Sequence, residues 1–400
     1  MPKDWLRVLG STRRTEEALE FEYLNAVDSL IETALQTGAA HDDFFGRLNG
    51  VFPSVAASRP PIRRFGVDRL LSRSNLTVRN YVPELHPLNF EWYFTPECAK
   101  SVALEFSSKR GVTVFLGVPT SAAIATELKR TVLLIDHNPL LLKRFPALMR
   151  ASEIHLMDAA NAVSIQPNAD SVVFDAPWCF GDMIVWLIIA SRLARKGGLI
   201  AFSLFPSLVR PTARFERELI LELAASIGPI ELIKNKLVYE TPLFEREALY
   251  GAGIVAGNWR RSDLVVVQVR HPARLPAINI PRQSAGHQSW RSFVIHGQVV
   301  KVRSHKRAMR DGRKPLIPVP GSKVFLYASV SARDRSRAFI ETWTSRNRVA
   351  RIGDPIVVTS LFEMLERGRA VGDAVTEVCS NVYAGNWRCL HDAVSQFLAL

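Results

Sequence analysis

Residues 171–178 read "SVVFDAPW", and the middle of the chain turns on how they are read. An unbroken apolar stretch of this kind describes a strand buried on both faces of a parallel sheet. Asp and Pro end strands and start turns, so Asp175 and Pro177 mark where the strand stops. Strand termination alone would not also call for Trp178 beside them.

Similar runs flank this one on both sides. "VTVFLG", "TVLLIDHN", "EIHLMDA", "GGLIAFSLFP", "IELIKNKLVYE" and "DLVVVQVR" all lie between Gly111 and Arg270, separated by helix-length segments. Apolar strands alternating with helices predict an α/β domain, Rossmann-like and doubly wound, on a mostly parallel seven-stranded sheet.

The ends of the first four strands carry the chemistry. Gly117 closes the first run, where a strand turns into a helix and the backbone can approach a ligand closely. Pro119 follows it in "GVPTS". Asp136 closes the second run, at a tip suited to ribose hydroxyls. Asp158 closes the third and Asp175 the fourth. In open parallel sheets ligands bind outside the carboxyl ends of the strands, so these acids are expected at one crevice.

Asp175, Ala176, Pro177 and Trp178 resemble the signature of amino-methylating methyltransferases, which runs Asp or Asn, Pro, Pro, aromatic. Upstream, "YFTPECAKSVALEF" is similar to the segment that leads into a helix before the first strand in adenine-N6 methyltransferases, with Thr95 as cap and Pro96 at the first helical position. The resemblance covers about Phe90 to Arg270 and implies S-adenosylmethionine as cofactor. It implies cofactor contacts from Thr95, Pro96, Gly117, Pro119, Asp136 and Asp158. The catalytic set it implies is Asp175, Ala176, Pro177 and Trp178.

Those residue types suit the reaction. An exocyclic amine conjugated to a ring is a poor nucleophile, because its lone pair is delocalised. A carboxylate on Asp175 and the Ala176 carbonyl, accepting both N–H protons, would draw the nitrogen toward sp3. Trp178 would stack on the flat substrate. Two positions depart from the family pattern: Ala176 stands for the first proline, and Pro119 and Thr120 stand in the loop where many relatives have further glycines. A rival reading follows from these departures, a catalytically inactive module serving as a binding subunit with a protein partner in a larger assembly. A third keeps the fold and changes the chemistry to aminopropyl or protein N-alkyl transfer.

The 51 Lys and Arg against 38 Asp and Glu, a formal charge of +13, favour nucleic acid as the partner. The run "KVRSHKRAMRDGRK" supplies Lys301, Arg303, Lys306, Arg307 and Arg310 as candidate contacts, set against an ordinary solvated face. "ARDRSRAFIETWTSRNRVAR" adds arginines around Phe339 and Trp343, spaced either to grip a single strand or to form a helical core stripe. In "GNWRRSDLVVVQV", Trp259 and Arg260 read as packing against the sheet, with phosphate contact as the other use of the arginines.

Four scattered cysteines show no paired spacing, and no His or acid completes a metal site beside His137 or His155, so no metal is expected. With no apolar run long enough to span a bilayer, no membrane partner and a cytoplasmic location are expected. Three regions are expected: a helical lead-in over 1–83, the Rossmann-like methyltransferase domain over 84–275, and a basic connector with a small mixed or helical C-terminal domain over 276–400. In the lead-in, Leu19, Tyr23, Val27, Leu30 and Ala34 are predicted on one helical face.

Overall fold

The computed structural model describes residues 16–37, 44–65, 88, 91–138, 140–271, 290–303, 314–320, 322, 325–327, 335–381 and 387–398. They fall into two compact units. The first holds the described residues within Met1–Leu70, Trp92–Thr241 and Ala256–Ile280, and the second those within Leu71–Glu91, Pro242–Val255 and Pro281–Leu400.

The first unit opens with helices α1 (Glu16–Gln36), α2 (Pro53–Ser58) and α3 (Pro60–Phe65). The buried face of α1 carries Tyr23, Val27, Ile31 and Ala34. Tyr23, Val27 and Ala34 lie on the expected face, but Ile31 takes the enclosed place expected of Leu30, and Leu19 and Leu30 are only half-buried. Next come α4 (Pro96–Phe106), β1 (Val112–Leu116), α5 (Pro119–Glu127), β2 (Thr131–Asp136), α6 (Leu141–Arg144), β3 (Glu153–Leu156) and β4 (Ala169–Phe174). The chain continues through α7 (Phe180–Leu193), β5 (Ala194–Leu204), α8 (Ala213–Ile227) and β6 (Ile230–Val238). It visits the second unit in α9 (Leu243–Gly251) and returns in β7 (Arg261–Gln268).

Each of the seven apolar runs forms a strand, and all seven join one sheet in the order β3-β2-β1-β4-β5-β7-β6. The pairs from β3 through β5 are parallel, while β7 is antiparallel to both β5 and β6. This is the doubly wound, Rossmann-like α/β architecture expected from the sequence. Apolar continuity has a direct cause in the side-chain alternation of a strand. Val172 and Phe174 point into one core with Val114, Leu116 and the α7 residues Met183 and Leu187. Val173 points into the opposite core with Phe115 and the α4 residues Val102 and Phe106. Phe174 stacks on Phe202 of β5 with centroids 4.9 Å apart. Burying such a ring stabilises the fold by about 1.5–3 kcal/mol.

The strand order sets which strand ends meet at one edge. Parallel β4 and β5 end at the same edge, and antiparallel β7 begins there, with Leu204 opposite Asp263. Strand β6 also ends there, Val238 opposite Arg261. Asp175, Ser203, Tyr239 and Arg260 are thereby gathered from four strands.

The second unit carries a five-stranded sheet, β10-β12-β11-β9-β8, from β8 (Trp290–Ile295), β9 (Gln298–Arg303), β10 (Leu316–Pro318), β11 (Thr342–Thr344) and β12 (Val349–Ile352). Its described pairings are antiparallel. "SFVIHGQVVKVR" forms the expected strand pair, turning through His296 (φ 48°) and Gly297 (φ 74°). Helices α10 (Pro355–Glu366), α11 (Val371–Asn381) and α12 (Trp387–Leu398) cover it. Gly368, with φ 86°, separates α10 from α11. The helical stripe through Phe339 and Trp343 does not form. Trp343 is a buried residue of β11, its Nε1 donating to Asn347 Oδ1 at 2.8 Å, and Phe339 is half exposed. Threonines around Trp343 favour strand over helix.

No helix among the described residues is long and apolar enough to cross a membrane.

Candidate active site

The carboxylate of Asp175 stands at the carboxyl end of β4. Its Oδ1 accepts two hydrogen bonds, one from the Tyr239 phenol at 2.8 Å and a short one from the Ser203 hydroxyl. Tyr239 also lies 3.3 Å from the Ser262 hydroxyl. No described residue donates to Oδ2. One oxygen is therefore anchored by the fold, and the other receives no donor among the described residues. Burial pushes the Asp175 carboxyl up to about 6, although Ser203, Tyr239 and the charge of Arg260 all oppose the shift. Burial and the neighbouring carboxylate likewise push the Tyr239 phenol well above its ordinary value, so it stays a donor.

After Asp175, Ala176 is buried and Pro177 exposed, and Trp178 is half-buried. The Trp178 carbonyl accepts from Arg210 Nη1 at 2.7 Å. Arg210 is itself buried, forms a short ion pair with Glu216, and lies 4.2 Å over the Phe205 ring. Glu216 also accepts from Thr212 at 2.6 Å. A buried guanidinium thus holds the end of the loop that follows Asp175. The indole Nε1 of Trp178 is buried with no partner among the described residues.

Arg260, immediately before β7, lays its guanidinium 3.7 Å from the Trp178 ring centroid, 4.6 Å from that of Trp92 and 5.3 Å from that of Tyr239. Its neighbour Trp259 is fully buried and packs edge-on against Trp92. Trp259 is thus the packing residue that its sequence context suggested, and Arg260 belongs to the rings around Asp175.

The candidate cofactor residues lie on neighbouring elements. Gly117 has φ 66°, and a Cβ there would meet the Trp186 ring at 2.7 Å, so no larger residue fits. Pro119 is the buried first residue of α5. In the same helical turn, Thr120 Oγ1 and Ser121 Oγ are buried without a hydrogen-bond partner among the described residues. Asp136 ends β2, and its Oδ1 accepts from the Asn138 amide at 3.0 Å, a turn-forming role. Asp158 caps the short 3-10 helix Ala159–Ser164, accepting from Ala160 at 2.8 Å. It also helps raise the Asp182 carboxyl, for which burial is the larger cause. Thr95 caps α4 by accepting from the Cys98 amide at 3.3 Å, and Pro96 takes the first helical position, as the sequence suggested. The Thr95 amide donates to Val238 at 2.9 Å, which ties α4 to the strand that delivers Tyr239.

The candidate nucleic-acid residues lie in the second unit. Lys301 and Arg303 are half-buried on β9, with Arg303 5.2 Å over the Trp290 ring; burial holds both below their ordinary pKa values. Lys306, Arg307 and Arg310 lie outside the described residues. No group of three or more His, Cys, Asp or Glu able to hold a metal occurs among the described residues.

Sequence reading missed Ser203, Tyr239, Arg210 and Trp92 as parts of this site. Ser203 had a signal, a lone hydroxyl in the otherwise apolar run "LIAFSLF" one strand away from Asp175. Tyr239 had a weaker one, since its place opposite Asp175 depends on β7 lying between β5 and β6.

No protein-family model matches the chain, and no curated protein matches it. Among solved structures it is similar to a branched-chain polyamine synthase from Thermus thermophilus, in complex with N4-aminopropylspermidine and 5'-methylthioadenosine, at 14% identity over 64% of this chain and 94% of that one, TM-score 0.42. A 16S rRNA methyltransferase from T. thermophilus, in complex with AdoMet and guanosine, shows 15% identity over 51% of this chain and 45% of that one, TM-score 0.28. An N-methyltransferase from Bradyrhizobium japonicum shows 12% identity over 43% of this chain and 94% of that one, TM-score 0.30.

Proposed function

We propose that the chain is an S-adenosylmethionine-dependent N-methyltransferase acting on an amino group of a nucleic-acid base. The observation that carries this reading is the Asp175 carboxylate, fixed through Oδ1 by Tyr239 and Ser203 and with no donor to Oδ2 among the described residues, directly ahead of the half-buried Trp178.

The residues present fit the cofactor. Two orphaned hydroxyls, Thr120 and Ser121, sit in the first turn of the helix that follows the β1 glycine. Buried hydroxyls without partners are costly, and a polar ligand at that turn would satisfy them. Gly117, Pro119, Asp136 and Asp158, with Thr95 and Pro96, would hold the cofactor, the Asp136 carboxylate facing ribose hydroxyls. When bound, the cofactor supplies an electrophilic methyl group.

The chain's own residues prepare the acceptor. Oδ2 of Asp175 accepts one N–H of the substrate amine and the Ala176 carbonyl the other, which concentrates the nitrogen lone pair. Tyr239 and Ser203 keep the carboxylate from rotating. Trp178 supplies an aromatic face to a planar base. The chain's excess of basic residues supports an anionic polymer as the carrier of that base.

Calorimetry with S-adenosylmethionine tests the first half of the reading, and a single-turnover assay with labelled cofactor on mixed nucleic acid tests the second. Saturable binding followed by label transfer is expected. Undetectable binding at millimolar cofactor would replace the enzyme with the inactive binding module, a reading favoured by the closeness of the Trp186 ring to Gly117.

A further inference from the structure

Three aromatic rings, Trp92, Trp178 and Tyr239, surround a position beside the Asp175 carboxylate. Such an arrangement attracts cations, since the ring faces are electron-rich and the acid adds a full charge. The chain fills this position itself. The Arg260 guanidinium rests against all three rings, nearest to Trp178 at 3.7 Å. Its backbone cannot move away readily: the Arg260 carbonyl accepts from the Tyr239 amide at 3.0 Å, and the next residue begins β7, paired with Val238.

We propose that Arg260 is a specificity-determining residue that excludes protonated amines from the Asp175 site and so selects neutral, ring-conjugated amines. The inference rests on the N-methyltransferase reading and adds the charge state of its substrate. A protonated amine approaching Oδ2 meets a fixed positive charge where the rings would otherwise stabilise it, and like charges at short range in a partly buried site repel. A neutral aminopurine or aminopyrimidine meets no such penalty, and its phosphate backbone is attracted by the same guanidinium. Arg260 moreover offsets part of the burial cost that raises the Asp175 carboxyl.

Binding measured without any turnover tests this. Spermidine, as a cationic probe, is titrated into the full chain by calorimetry for the wild type, Arg260→Gln, Arg260→Met and Arg260→Lys, each checked by a melting curve. The neutral variants are expected to bind spermidine at least tenfold more tightly than the wild type. Arg260→Lys, which keeps the charge, is expected to exclude it as the wild type does. Two neutral substitutions are included so that one misfolded variant does not decide the matter. Equal spermidine affinity in the wild type and a folded neutral variant would overturn the proposal, as would tight binding by Arg260→Lys. Absence of methyl transfer to nucleic acid in the labelled-cofactor assay would instead count against the methyltransferase reading and leave the binding comparison standing.

Discussion

The Tyr239 phenol donates to Oδ1 of Asp175 across 2.8 Å, linking the end of β6 to the end of β4 over two intervening strands. A hydrogen bond to the charged form of an acid favours ionisation. Tyr239→Phe should therefore raise the Asp175 pKa further and move the pH at half-maximal transfer upward. The lost charged hydrogen bond should weaken transition-state stabilisation by about 1.5 kcal/mol. A pH–rate profile of the variant against the wild type reads both effects; an unshifted profile would make Tyr239 a packing residue only.

With the Asp175 carboxyl near 6, transfer should rise with pH through that value, because only the carboxylate accepts the substrate N–H. The effect on stability has the opposite sign. Between the ordinary value of 3.8 and about 6 the folded chain holds a proton that the unfolded chain has lost, so this group's contribution to stability grows as pH falls through 6. The full span corresponds to about 3 kcal/mol.

Asp175→Asn separates function from stability in one variant. The amide oxygen can still accept from Tyr239 and Ser203, while the buried charge is gone. At pH 8 the variant should be more stable than the wild type by about 1–3 kcal/mol, inactive in transfer, and unchanged in cofactor affinity. A strand end of purely structural importance would give the reverse, a lower melting temperature with every ligand measurement unaltered.

Arg210→Leu should be the most damaging single change near the site. It leaves Glu216 charged and half-enclosed and the Trp178 carbonyl without its donor, a loss of about 3–5 kcal/mol. Denaturant titration measures the stability loss. In any variant that retains the fold, substrate KM should rise, because the loop carrying Trp178 is no longer held.

Asp136 has two roles to distinguish. Asp136→Ala removes both its charge and the turn bond to Asn138, so cofactor affinity should fall by about 1.5–3 kcal/mol and the melting temperature should drop. Asp136→Asn keeps an acceptor for the turn and should lose affinity alone. Equal calorimetric affinity in Asp136→Asn and the wild type would confine Asp136 to its turn.

The sheet was legible because parallel strands buried on two faces must be apolar at every position, as in Val172, Val173 and Phe174, and each such run became a strand. Asp175 was legible for a related reason, being the first polar residue after such a run. Tyr239 and Ser203 were not, because their meeting at Oδ1 depends on which strands are neighbours, and apolar runs do not encode strand order. Arg210 was hidden by distance along the chain: its contact with the Trp178 carbonyl spans 32 residues, and an arginine in "LVRPTAR" carries no local mark of burial. Trp343 shows the converse error, where spacing from Phe339 matched a helix and the β-branched neighbours decided for a strand.

Both donors to the Asp175 carboxylate among the described residues converge on Oδ1, which determines where a proton can be stored and how it departs. A proton taken up by this carboxylate resides on Oδ2, the oxygen that no described residue holds, and Asp175 is only partly buried. Discharge to bulk water then needs no relay of side chains, and the acid is reset for the next cycle as soon as product leaves. Turnover at neutral pH should accordingly be insensitive to added proton carriers such as imidazole. An enzyme that had to export its proton through the Tyr239 and Ser262 hydroxyls would instead be accelerated by them.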